Sequence, residues 1–225
     1  MRDRLRRARA SLLGLSVGDA FGEVLGERPD DAAARRLPPG PWRWTDDTEM
    51  ACSIVRVLAE HGRLDPDALA ESFVDHHDPD RNYGSGVDAM MREVGRRRVS
   101  LRVLATETFG GSGSWGNGGS MRVAPLGAWF AGDPATAARQ AAESARVTHT
   151  HPDGVAGAVA TAVAASLAAS GAPVGELFAG VLAHTPPGTV RDGIEAATTI
   201  ADAEPAAAAP PSPRRLRLRQ GMRLL

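Results

Sequence analysis

The sequence contains no lysine. Schiff-base formation and lysine general-base chemistry are therefore excluded, and arginine carries all the basic side-chain charge. Cysteine occurs once, at Cys52, so no internal disulfide can form and a reducing cytoplasm is the expected compartment. Excess charge of either sign is also missing. A net charge of -1 over 225 residues offers no basic footprint for nucleic acid and no strong field for a membrane surface. No run approaches the roughly 18 consecutive apolar residues that a membrane span requires. Alternating apolar and polar segments, the mark of half-buried strands, are absent, and so is any internal repeat.

What is present is alanine, glycine and helical periodicity. Leu5, Ala8, Leu12 and Leu15 recur at helical spacing in MRDRLRRARASLLGLSVGDAFG. Its basic start and apolar middle thus read as a first core helix rather than an export signal. A punctuated link, Glu23 to Trp44, leads to a second helix predicted from the TDDTEM stretch to His61-Gly62. Asp65-Pro66 opens another. HHDPDRNYGSG reads as a loop and VDAMMREV as a short helix. Helical patterns return at Pro125–Phe130, Pro134–Val147, Gly154–Ser170 and Val174–His184. The Ala-rich Gly154–Ser170 is apolar nearly all round and is predicted to be central. The expected architecture is an all-α, orthogonal multi-helix bundle. Residues 1–204 form its domain, and the Pro/Ala-rich and Arg/Leu-rich tail, 205–225, is predicted to be disordered.

Three stretches carry candidate chemistry. In PWRWTDDTEM, Asp46 with Glu49 three residues on is a possible capping box, and acids in a first turn suit the helix dipole. Thr45, Asp46 and Asp47 are equally the hard oxygen donors that a Mg²⁺-type ion selects, with water completing the shell. The glycine-dense GGSGSWGNGGSMR is either a flexible loop or a backbone cradle for phosphate oxygens. It lacks the Gly-Lys-Ser/Thr end of a Walker loop and follows no strand. THTHPDG holds two histidines without the further ligands that zinc needs. A turn with one histidine bonded to the backbone is the alternative. Asp19 and Glu23 either are solvated charges or face the same site as Asp46.

Taken together, GLSVGDAFGE (Gly14–Glu23), WTDDTEM (Trp44–Met50), GSWGNGGSMRVAPLGAWF (Gly113–Phe130) and SARVTHTHPDGVAGA (Ser144–Ala158) resemble the ADP-ribosylglycohydrolase family, in that family's order. The resemblance implies an all-α fold with a binuclear Mg²⁺ or Mn²⁺ centre that releases ADP-ribose from ADP-ribosylated protein or small molecules. It implies Thr45, Asp46 and Asp47 as metal ligands, and Asp46, Asp47 and Glu23 as catalytic acids and bases, with Glu27 an alternative to Glu23. By the same likeness Gly113, Ser114, Trp115, Gly116, Asn117 and Gly118 hold the diphosphate and distal ribose. Met121 and Arg122 support that loop, and His149 contacts the diphosphate or the adenosine side. The family's late Gly-x-Asp-x-Asp-Thr stretch has no counterpart here, and Asp192 and Asp202 stand isolated. The expectation is a C-terminally incomplete member with about half the ligand set, either an impaired hydrolase or a non-catalytic ADP-ribose binder. A phosphoesterase using the same acid pair is the reading from another class. Apolar faces of the Ala-rich helices, left uncovered, are expected to promote association.

Overall fold

The computed structural model describes residues 1–199, and these are all-helical, with no strand among them. The boundary expected at residue 204 and the tail after it lie outside the described residues. In chain order the helices are α1 (Arg2–Glu27), α2 (Pro29–Ala33), α3 (Asp46–His61), α4 (Pro66–Asp75), α5 (Ser85–Arg97) and α6 (Leu101–Glu107). They continue with α7 (Gly118–Met121), α8 (Ala124–Trp129), α9 (Pro134–Arg146), α10 (Pro152–Ala169), α11 (Val174–His184) and α12 (Thr189–Thr198).

Local chemistry explains most of the helix starts. Asp65 accepts from the backbone N–H groups of Asp67 and Ala68 with Pro66 in the first turn, and Asp133 accepts from Thr136 N–H ahead of Pro134. His151 caps α10 in the same way: its Nδ1 accepts from Asp153 N–H at 3.1 Å, ahead of Pro152. This is the backbone-bonded histidine that the THTHPDG turn suggested. A proline at the first helical position loses no hydrogen bond there, because that N–H has no intrahelical partner.

Helix α10 is central, as its composition predicted, and packs against α7, α8, α9 and α11. By length and a mean hydropathy of 1.3 it is long and apolar enough to span a membrane, which corrects the expectation that no such segment exists. Its burial among these helices and α12 marks it as a core element. Small residues allow close approach: a Cβ on Gly127 of α8 would collide with the Ala162 carbonyl of α10. Helix α8 also meets α1 and α3, so it joins the α10 layer to the helices that carry the acidic turn.

Several boundaries depart from expectation. Helix α1 runs on to Glu27, and α2 follows it, so the link from Glu23 to Trp44 is partly helical. Helix α5 begins at Ser85, inside the predicted loop. Helices α6 and α12 were not foreseen. The exposed apolar surface is also placed differently. Helix α10 is well covered, whereas Leu13, Val17 and Phe21 of α1 are 67%, 57% and 38% exposed, one turn apart on one face.

Candidate active site

The acidic turn is built by two helices, not one. Thr45 is the N-cap of α3, not Asp46, and the expected capping box does not form. Glu49 instead accepts from the Tyr83 hydroxyl at 2.7 Å and from Asp78 N–H at 3.0 Å, which ties the segment Asp78–Tyr83 to α3. The capping carboxylate comes from α1. Asp19 accepts from Thr45 N–H at 2.8 Å, the Thr45 hydroxyl at 2.6 Å, Thr48 N–H at 3.2 Å and the Thr48 hydroxyl at 2.5 Å. Four donors on one carboxylate fix the backbone from which Asp46 and Asp47 project. Asp19→Ala is expected to lower stability by about 2 kcal/mol, the upper end for loss of a helix cap. A parallel shift of urea curves read by tryptophan fluorescence and by circular dichroism would show this.

Asp46 and Asp47 are half-buried side by side. Burial first, then the charge of Asp47, pushes the Asp46 carboxyl up to about 7. Burial and then Asp19 push Asp47 up to about 6, and Glu23 adds to the effect. The local field is thus strongly negative, opposed at Asp46 by the charge of Arg122. Two carboxylates beside a threonine hydroxyl suit a hard divalent cation, which would relieve their repulsion. Among the described residues there is no cluster of three or more His, Cys, Asp or Glu that could hold a metal. Thr45, Asp46 and Asp47 are few donors, which suits a cation that keeps several waters.

A cleft of about 620 Å³ opens beside this turn, walled by Glu23 and Glu27 of α1, Trp42, Trp44, Arg81 and Asn82. Glu23 is half-buried and accepts from the Asn82 side-chain amide at 2.9 Å; Glu27, one turn on, is exposed. Arg81 lies over the Trp44 ring at 3.4 Å and pairs with Asp78 at 3.1 Å, latching the Asp78–Tyr83 segment across the cleft.

The glycine-rich loop is docked rather than free. Gly113 has φ +77, and a Cβ there would lie 2.6 Å from His151 N; a Cβ on Gly154 would lie 2.8 Å from the Ser114 carbonyl. A Cβ on Gly118 would lie 2.7 Å from His149 Nε2, and one on Gly116 would lie 3.4 Å from the same atom. These glycines make room for the start of α10 and the His149 ring, a reason that composition alone did not reveal. Ser114 accepts from Gly116 N–H at 3.2 Å, and Asn117 and Trp115 are exposed. Phe109 sits at φ +51, an unfavourable backbone for a bulky residue, with its ring parallel to that of Trp115, 6.3 Å away. The two rings are 64% and 66% exposed, and His151 meets Trp115 edge-on.

Met121 is half-buried, and Arg122 is fully enclosed. The Arg122 guanidinium donates to the Ser144 carbonyl and the Thr148 hydroxyl, both at 2.9 Å, and lies 4.6 Å from the Phe73 ring centre. It supports the loop from beneath and does not reach its surface. Burial pulls its pKa down to about 9, and its charge bears on both Asp46 and His149. The buried cation is therefore coupled electrostatically both to the acidic turn and to the histidine beneath the loop. Sequence reading missed the capping by Asp19, the Asn82 and Tyr83 contacts, Phe109 and Thr148. Only the left-handed Phe109 beside paired glycines left any trace, as an aromatic in a turn.

The ADP-ribosylglycohydrolase family model matches residues 1–222. "ADP-ribosylhydrolase ARH3" of Bos taurus is 32% identical over 174 residues, 69% of this chain and 47% of the relative. "ADP-ribosyl-[dinitrogen reductase] glycohydrolase" of Rhodospirillum rubrum is 32% identical over 158 residues, 65% of this chain and 52% of the relative. "ADP-ribosylarginine hydrolase Tri1" of Pseudomonas putida is 31% identical over 134 residues, 54% of this chain and 35% of the relative. The chain spans about half the length of the first two of these relatives.

Proposed function

The chain belongs to the ADP-ribosylglycohydrolase family, and from that premise we propose that it binds ADP-ribosyl groups and hydrolyses their glycosidic bond to a protein or small-molecule carrier. The observation that carries this reading is the half-buried Asp46–Asp47 pair on a turn held by Asp19, beside a large cleft. Thr45, Asp46 and Asp47 would hold Mg²⁺ or Mn²⁺, which supplies anchorage for sugar hydroxyls and acidification of a bound water.

The chain's own residues do the rest. The anomeric carbon reacts through an oxocarbenium-like state, which the negative field of Asp19, Glu23, Asp46 and Asp47 stabilises. Glu23 takes a proton from the attacking water, a reading supported by its position on the cleft wall and its hydrogen bond from Asn82. Glu27 is the more exposed alternative. The loop Gly113–Gly118, with His149 beneath it, binds the diphosphate and distal ribose. The exposed Phe109 and Trp115 rings offer the purine a stacking surface. Binding these remote parts positions the reacting carbon.

The family premise also covers a non-catalytic ADP-ribose binder, for which the docked glycine-rich loop with His149 beneath it would suffice. One experiment separates the two. With Mn²⁺ and arginine- or serine-linked ADP-ribosyl peptide, the hydrolase releases free ADP-ribose, and Glu23→Gln abolishes the release without weakening ADP-ribose binding. Calorimetric binding with no release supports the binder. Neither heat nor release sinks both.

A further inference from the structure

Below the glycine-rich loop, three side chains stand in series. Arg122 donates to the Thr148 hydroxyl at 2.9 Å, and that hydroxyl lies 2.7 Å from His149 Nδ1. A guanidinium has hydrogens to give and nothing with which to accept. Toward Arg122 the threonine oxygen can only accept, and among the described residues its own proton has no acceptor other than the imidazole nitrogen. The Nδ1 atom accepts that proton's hydrogen bond only when it carries no hydrogen itself.

We propose that Arg122 and Thr148 are positioning residues that fix His149 as the neutral tautomer protonated on Nε2, so that it presents a standing N–H donor to the oxygens of a bound ADP-ribosyl group. The ligand half of this statement rests on the function proposed above; the tautomer half rests on the geometry alone.

The far side of the ring agrees. Nε2 forms no hydrogen bond among the described residues, yet it is not one of their sealed, unpartnered polar atoms. It lies against Gly116 and Gly118, and a side chain at Gly118 would collide with this edge of the ring. The opposite tautomer would leave the threonine hydrogen without an acceptor and aim a lone pair at the place where phosphate or hydroxyl oxygens arrive. Burial, and then the charge of Arg122, hold the His149 pKa down to about 3, which keeps the ring neutral. A neutral donor matters here because a second buried charge beside an already enclosed guanidinium would be costly.

The test is the ring itself. In ¹⁵N-histidine-labelled protein at pH 7, with His149 assigned by loss of its signals in His149→Gln, long-range ¹H–¹⁵N correlation is expected to show the Nε2–H form. Thr148→Ser retains that pattern, whereas Thr148→Val gives a mixed or Nδ1–H ring. ADP-ribose affinity is expected to fall about tenfold in Thr148→Val and to stay near wild type in Thr148→Ser, as for removal of an outer partner of a ligating histidine. An Nδ1–H ring in the wild type, or an unchanged tautomer in Thr148→Val, overturns the proposal. If Thr148→Val fails to fold, the wild-type and Thr148→Ser spectra decide. An Nε2–H ring in a protein that does not bind ADP-ribose upholds the positioning and refutes only the proposed function.

Discussion

Asp46→Asn is expected to stabilise the metal-free protein and to abolish the hydrolysis proposed for it. The folded-state pKa of Asp46 is raised to about 7, so the folded chain holds a proton on this group that the unfolded chain releases near 3.8. The resulting penalty is absent below about pH 4, where both states are protonated, and it grows as pH rises through the folded value. A shift of this size corresponds to about 4 kcal/mol at most, discounted to about 2 kcal/mol for a half-buried group. Asparagine avoids it. The thermal midpoint of the metal-free variant is thus predicted to exceed that of the wild type at pH 8 and to converge with it near pH 4.

His149 acts in the opposite sense over an overlapping window. Its pKa is depressed to about 3, so the folded state refuses a proton that the unfolded state takes up, and stability falls as pH drops below about 6.5. Asp46 and His149 partly cancel in the wild type. Removing Asp46 should uncover the acid-side decline. Mn²⁺ is expected to raise the wild-type midpoint at pH 8 and to leave Asp46→Asn unmoved, with hydrolysis reduced more than about a hundred-fold, since even outer partners of metal ligands contribute 10–100-fold. Calorimetric scans from pH 4 to 8, with and without metal, check every part. A variant less stable than wild type at pH 8 would falsify the assignment of Asp46 as an uncompensated acid.

The second large effect falls on Arg122. Arg122→Ala leaves a cavity between α3, α7 and the α9–α10 turn, removes the cation from the Phe73 ring, strands the Ser144 carbonyl, and leaves the Thr148 hydroxyl with His149 as its one partner. Relief of guanidinium desolvation opposes these losses. Cavity formation, an orphaned carbonyl and a hydroxyl short of one donor outweigh it, for a net destabilisation of about 3 kcal/mol, or roughly a hundred-fold in the folded-to-unfolded ratio. Arg122→Met fills the cavity and isolates the polar part, with an expected loss of about 2 kcal/mol. Urea melts of the three proteins give the comparison directly. Equal stability of Arg122→Ala and wild type would show that the buried guanidinium holds nothing together.

Much of the fold was legible because its signals are local. Asp65-Pro66 and the 3.6-residue pattern from Met50 to Leu58 each specify a helix within a few residues of its start. Helix α6 escaped because seven residues hold too few periods, and α12 because Val190 and Ile194 alone mark its packed face. The candidate site was less legible, because its decisive contacts join distant positions. Asp19 meets Thr45 and Thr48 across 26 and 29 residues, and Glu49 meets Tyr83 across 34. The spacing from Asp46 to Glu49 suggested a reciprocal cap, but an outside carboxylate occupies that role and leaves Glu49 free for the Asp78–Tyr83 segment. Glycine in the loop suggested freedom, whereas Gly113 and Gly118 are small because His151 and His149 press against them.

The carboxylate of Asp19 also bears on where the chain can be cut. Its grip makes the opening helix a working component of the acidic turn, not an ornamental leader. A fragment begun downstream of it would keep both aspartates in the sequence yet lose the hand that aims them.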